Sequence, residues 1–238
     1  MIEDTGHTRH AGHAGHAGNT VPVGAPVSIG SSNAEELPRV VSSRHVFSGR
    51  VVSLRVDEID TGDGVYSREV IEHPGAVVVA AVDAAGRLVL VRQYRHPVGG
   101  YLLELPAGGL EPGEAPLEAA RRELREETGL VAAEWVHLGS FFASPGFLRE
   151  QLHAFLATGL DSVSSDRDED EVIELIWRPL ADVIAGAEDL RDAKTLATLL
   201  LVERHVAASP PGAEGGRRDP AGRGDQYGAE TRGVNECE

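Results

Sequence analysis

Between Gly108 and Leu130 the chain runs from a cluster of turn-formers into a helix-forming stretch and out through a helix stop, all within 23 residues. Gly108, Gly109, Pro112 and Gly113 predict a loop, because glycine and proline favour backbone conformations that interrupt regular structure. From residue 115 to 128 alanine, leucine, glutamate and arginine dominate, Leu117 and Leu124 fall seven apart on one face, and Gly129 closes the run, so a helix is predicted. Apolar, β-rich segments surround this unit. Residues 76–82 and 88–94 flank Asp83-Ala84-Ala85-Gly86 and predict a hairpin, and 102–105 predict a short strand stopped by Pro106. Further strands are predicted at 134–142, 151–157 and 171–177, with helices near 180–187 and 191–207. Strands alternating with helices around one special helix give an α/β class.

The flanks of this block differ in composition. Residues 1–38 carry the triplet repeat His10-Ala11-Gly12-His13-Ala14-Gly15-His16-Ala17-Gly18 and then small and polar residues, which predicts a disordered His/Gly-rich tail; glycine at every third place works against a fixed metal site. Residues 208–238 contain Pro210-Pro211 and Gly215-Gly216 and no Leu, Ile, Phe or Trp, so a second disordered tail is expected, leaving 39–207 as the folding unit. The formal net charge of −16 is the wrong sign for coating nucleic acid or an anionic membrane, and an anionic substrate then calls for metal cations. Cys237 is the only cysteine, which excludes an intramolecular disulfide and a Cys-rich zinc site. The acidic opening Met1-Ile2-Glu3-Asp4 and the short apolar runs predict a cytoplasmic protein without a signal or a membrane span.

The predicted helix carries Arg122-Glu123-Leu124-Arg125-Glu126-Glu127. Positions 123, 126 and 127 are i, i+3 and i+4, so three carboxylates crowd one side of a helix, where like charges repel. A solvated face interleaved with Arg121, Arg122 and Arg125 is one reading; a site for hard divalent cations that offset the repulsion is the other. Spacing separates them. Gly108, five residues, Glu114, seven residues, then Arg122 to Leu130 matches every fixed position of the pattern G-x5-E-x7-R-E-U-x-E-E-x-G-U, with U aliphatic. This segment resembles the signature box of the Nudix hydrolases. The resemblance implies a Nudix-type α/β/α sandwich with a mixed β-sheet and hydrolysis of a nucleoside diphosphate linked to another moiety. It also implies that Glu123, Glu126, Glu127 and the carbonyl of Ala107 bind Mg²⁺, or Mn²⁺ in its place. Arg122 would pair with a box carboxylate, Glu126 being at the right spacing, and Gly108 and Gly129 would permit the backbone turns on either side of the helix.

Downstream, Ser144-Pro145-Gly146-Phe147-Leu148-Arg149-Glu150 sets Pro145 sixteen residues beyond Gly129. Alone it is an ordinary turn. At this offset from the box it resembles the mark of the ADP-ribose pyrophosphatase branch, which implies that Pro145 belongs to the substrate site and that Glu150 meets a ribose hydroxyl. Arg95 in Arg92-Gln93-Tyr94-Arg95 and Arg68 in Tyr66-Ser67-Arg68-Glu69 resemble further substrate contacts of that branch, although each is also a plausible surface ion-pair partner. The acidic run from Asp168 to Glu174 resembles the branch's loop that delivers a water-activating glutamate. Glu169 is expected as the base and Glu171 as its metal-side partner.

The expected function is a Mg²⁺-dependent pyrophosphatase that converts ADP-ribose to AMP and ribose 5-phosphate, with no nucleic-acid or membrane partner, and the resemblance to that branch further implies a homodimer in which residues around Val46 to Ile59 pair across a two-fold axis. The alternatives are a Nudix hydrolase of another nucleotide sugar such as GDP-mannose, or of a dinucleotide or flavin substrate, and a non-catalytic ADP-ribose-binding regulator.

Overall fold

The structure is a computed structural model that describes residues 37–163 and 173–208. The expected tails, apart from Leu37, Pro38 and Ala208, lie outside the described residues, as do Glu169 and Glu171. Among the described residues the strands are β1 (Arg39–Ser48), β2 (Ser53–Asp60), β3 (Val65–Glu72), β4 (Ala76–Ala81), β5 (Arg87–Arg95), β6 (Gly100–Glu104), β7 (Ala107–Gly109), β8 (Leu130–Phe142), β9 (Gln151–Ser162) and β10 (Glu174–Pro179). The helices are α1 (Pro116–Thr128), α2 (Leu180–Ala185) and α3 (Ala193–Ala208).

The centre of the fold is β4, whose six residues are all buried. A strand apolar on both faces can be satisfied only between two layers. Val77, Val79 and Ala81 pack with Ala119, Ala120 and Leu124 of α1, while Val78 and Ala80 pack with Leu199 and Val202 of α3. The strand alternation thus places α1 and α3 on opposite faces of one sheet, ordered β7-β4-β9-β8, and this is the expected α/β/α sandwich. The sheet is mixed, since β4 runs parallel to β9 from Ala76 opposite Leu152 to Ala81 opposite Ala157, while β4–β7 and β8–β9 are antiparallel. Pro116 opens α1, and Gly129 closes it with φ 69°, its N–H donating to the Arg125 carbonyl at 2.8 Å.

Four local readings need correction. The two apolar runs 76–82 and 88–94 are joined by the expected turn, but they meet only at the bridge between Val82 and Leu88. Beyond it β4 enters the central sheet, where β7 and β9 pair its two edges, and β5 joins β10 and β6. The glycine-rich loop contains the strand β7, short enough that glycine at two of three positions is tolerated. The strand predicted at 171–177 is β10 and is described from Glu174 on, with residue 173 outside it and 171 and 172 outside the described residues. Finally, β1, β2 and β3 form a separate antiparallel sheet that was not among the expected elements, although Thr61-Gly62-Asp63-Gly64 marks the turn between β2 and β3. It meets the segment after β8 where the Ile71 N–H donates to the Phe147 carbonyl (2.8 Å) and the Arg149 N–H to the Ile71 carbonyl (2.9 Å). No helix of the described residues is long and apolar enough to cross a membrane.

Candidate active site

The floor of the site is β7. Ala107 lies opposite Val78 and Gly108 opposite Val77. The Val79 N–H donates to the Pro106 carbonyl (2.8 Å), and the Ala107 N–H turns away from β4 to donate to Oε2 of Glu127 at 3.1 Å. The N–H and C=O of an extended residue share one strand edge, so the Ala107 carbonyl expected as a ligand lies on the edge that faces the α1 carboxylates. Gly108 is required by close approach. A Cβ built there would sit 2.0–2.3 Å from the carboxylate atoms of Glu123, while its φ is not in the left-handed region, so its role is to admit Glu123 and not to make a turn.

Arg122 uses all five of its N–H groups. Nε and Nη2 donate to the two oxygens of Glu114 (2.9 Å each), Nη1 to Glu123 (2.7 Å) and Glu126 (3.1 Å), and Nη2 also to the Gly109 carbonyl (2.9 Å). The i+4 pair with Glu126 is present, joined by two partners that spacing alone did not single out. The bidentate pair with Glu114 is the main reason the guanidinium pKa is raised, against the opposing effect of burial, and the same contact holds the Glu114 carboxyl below its ordinary value. With no donor to spare, Arg122 positions the carboxylates and the α1 entry loop instead of touching a substrate.

Beside β7 lies a cleft of 490 Å³ bordered by Arg95, Ala107, Gly108, Gly109, Glu150 and Lys194. Arg95, at the end of β5, makes a bidentate pair with Glu104 of β6, Nε and Nη2 each at 2.8 Å. Glu104 is 1% exposed and also holds the Lys194 ammonium. Burial pushes the Glu104 carboxyl up, and the Arg95 and Lys194 contacts outweigh it and leave it below its ordinary value; the Glu104 hydrogen bonds raise Arg95 in turn. Glu150 stands at the cleft with its Oε1 3.8 Å from Nδ1 of His73. The structure therefore gathers Arg95, Ala107 and Glu150 at one void, with the box carboxylates against the same strand. Pro145 is exposed in the turn before Glu150 and does not line the cleft. Arg68 sits on β3, over the Tyr66 ring and bonded to the Ser67 carbonyl, and does not line it either.

A NUDIX domain model matches residues 72–217, starting at the last residue of β3. The chain belongs to the Nudix family. It is 40% identical to the ADP-ribose pyrophosphatase of Bacillus subtilis over 162 residues, covering 66% of this chain and 88% of that protein. The identity to the ADP-ribose pyrophosphatase of Mycobacterium tuberculosis is 41% over 153 residues, covering 63% and 74%. A crystal structure of an ADP compounds hydrolase superposes with TM-score 0.66 at 24% identity, covering 74% of this chain and 98% of that one, which shows the shared fold.

Nudix pyrophosphatases use a divalent metal, and the donors here suit one. Glu123, Glu126, Glu127 and the Ala107 carbonyl are all hard oxygen donors, and the bare Cα of Gly108 leaves the space in which the Glu123 carboxylate lies against the strand. Among the described residues no three His, Cys, Asp or Glu side chains stand ready around one point, Glu123 and Glu126 being turned toward Arg122. Sequence reasoning missed Glu104, Asp192 and Lys194. Two signals were available: Glu104 interrupts the apolar run Leu102-Leu103-Glu104-Leu105, and Lys194 is the single lysine among 22 basic residues.

Proposed function

We propose that this protein is a Mg²⁺-dependent pyrophosphatase that hydrolyses ADP-ribose to AMP and ribose 5-phosphate. One observation carries the reading: Arg95 and Glu150 border the same cleft as Ala107 and Gly108, the strand on which the box carboxylates rest. That a nucleoside diphosphate sugar is the substrate is supported by the names of the relatives at 40 and 41% identity.

In this reading Glu123, Glu126, Glu127 and the Ala107 carbonyl hold Mg²⁺, with Mn²⁺ as a substitute. The ion, when bound, neutralises charge on the diphosphate and on the leaving phosphate. Arg122 keeps Glu123 and Glu126 on one side of α1. Arg95, fixed through Glu104, offers its remaining donors to the anion, and Glu150 accepts a hydrogen bond from a ribose hydroxyl. Glu169 removes a proton from water while the water oxygen bonds to one phosphorus and the bond from that phosphorus to the bridging oxygen breaks; Glu171 assists on the metal side. The unit is a cytoplasmic homodimer joined through residues 46–59. Exposed Val46 and Phe47 on β1 and exposed Val51 after it support an interface there.

The test is a panel of nucleoside diphosphate derivatives with Mg²⁺ or Mn²⁺, read by product identification. ADP-ribose should give the highest kcat/KM, with AMP and ribose 5-phosphate as products. A higher value for GDP-mannose or a dinucleotide would overturn the substrate and leave the family standing.

A further inference from the structure

Lys194 is the one lysine in a chain with 21 arginines, and it lies in the cleft with its side chain 19% exposed. Its surroundings form a connected device at the start of α3. Asp192 caps the helix through Oδ2, which accepts from the Thr195 N–H (3.0 Å) and from the Thr195 hydroxyl (2.6 Å). The same hydroxyl accepts the Leu105 N–H at 2.9 Å, so the cap is tied to the end of β6. Lys194 projects from this capped turn with Nζ 3.0 Å from Oδ1 of Asp192 and in contact with Oε2 of Glu104.

We infer that Lys194 and Arg95 together form a clamp for the diphosphate of the substrate, with Lys194 donating its third proton directly to a phosphate oxygen. This rests on the reading of the cleft as a nucleoside diphosphate site. An ammonium has three donors, and two meet Glu104 and Asp192. Arg95 has five, and Nε and one proton of Nη2 meet Glu104. Both cations are therefore anchored on one buried carboxylate and retain donors at a cleft in which, among the described residues, they are the only permanently charged basic side chains. Two carboxylates already balance them, so a bound anion becomes the third partner of a fixed array and does not draw in a mobile side chain. The geometry also explains why this position is lysine. Arg95 already occupies both oxygens of Glu104, and a second guanidinium would compete for the same two acceptors; a compact ammonium meets Oε2 beside the first pair.

Because the chain has a single lysine, protein labelled with ¹³C,¹⁵N-lysine carries one side-chain ammonium signal. In EDTA, adding ADP or inorganic pyrophosphate should shift that signal, with the shift saturating at the affinity that calorimetry gives for the same probe. Lys194→Met should weaken ADP binding about tenfold or more while leaving the melting temperature within a few degrees. Lys194→Arg, which keeps the charge, should recover only part of the loss. An unmoved lysine signal at saturating ADP, equal ADP affinity in wild type and Lys194→Met, or no ADP binding by the wild type would each overturn the clamp. A lysine-dependent ADP site in a protein that does not hydrolyse ADP-ribose would overturn the proposed substrate alone.

Discussion

Two charged clusters border β7, and they differ in stoichiometry. Around Arg122, the carboxylates of Glu114, Glu123 and Glu126 share one guanidinium whose N–H groups are all used. Around Glu104, two carboxylates face two cations that keep donors in reserve. The first cluster is short of positive charge and suits added cations; the second is balanced and suits an added anion. In a chain of net charge −16, this local count, more than the overall sign, decides what each cluster attracts.

The sharpest way to break the contrast is to remove carboxylate charge from the first cluster. Glu126→Gln keeps the shape and an acceptor for Arg122, and its side chain is about one-third exposed, so the fold should persist with little change in melting temperature. Turnover should fall by about 10²-fold or more, the scale of losing one preorganised electrostatic contact to the transition state. Full activity in Glu126→Gln would mean that the excess carboxylates only decorate the helix.

Next in size is Gly108→Ala. The three atoms nearest the added Cβ all belong to the flexible end of Glu123, and φ at 108 is ordinary, so stability should change little. Glu123 must move, however, and the Mg²⁺ concentration for half-maximal rate should rise about 10- to 100-fold, as when the support of a metal ligand is lost. An unchanged Mg²⁺ requirement would detach Glu123 from the metal role.

The two clusters were not equally legible in the sequence. The first is local: Glu114, Arg122, Glu123, Glu126 and Glu127 lie within fourteen positions on one loop and helix, where spacing translates directly into proximity. The second is assembled from β5, β6 and α3, with Glu104 and Lys194 ninety positions apart, and periodicity carries no information about such a meeting. The same division holds for the fold. Helix α1 was readable from its composition and its stop, whereas the divergence of β4 and β5 into different sheets depends on which strands pair the edges of β4, a tertiary choice. Gly108 was legible as a special residue but not in its reason, since a close approach by Glu123 leaves no mark on local turn chemistry.

The smallest effect expected is on stability, and it tests whether the second cluster is charged as its count implies. Burial alone would raise the Glu104 carboxyl, but Arg95 and Lys194 outweigh it, so its folded pKa lies below the unfolded value of about 4.3. Glu104 thus binds fewer protons in the folded chain than in the unfolded one. Its stabilisation is complete above the unfolded pKa and disappears as pH falls through the folded value, with a slope of at most about 1.4 kcal/mol per pH unit for one proton. Glu104→Gln should be less stable than wild type at pH 7, because Arg95 and Lys194 lose the charge that anchors them, yet its stability should fall less steeply from pH 5 to pH 3. Glu114, lowered by its pair with Arg122, contributes the same sign of slope in both proteins and cancels in the comparison. Urea midpoints across this range measure the difference. Parallel acid limbs in the two proteins would show that Glu104 is not held as a carboxylate, and would remove the anchor from which Arg95 and Lys194 reach the cleft.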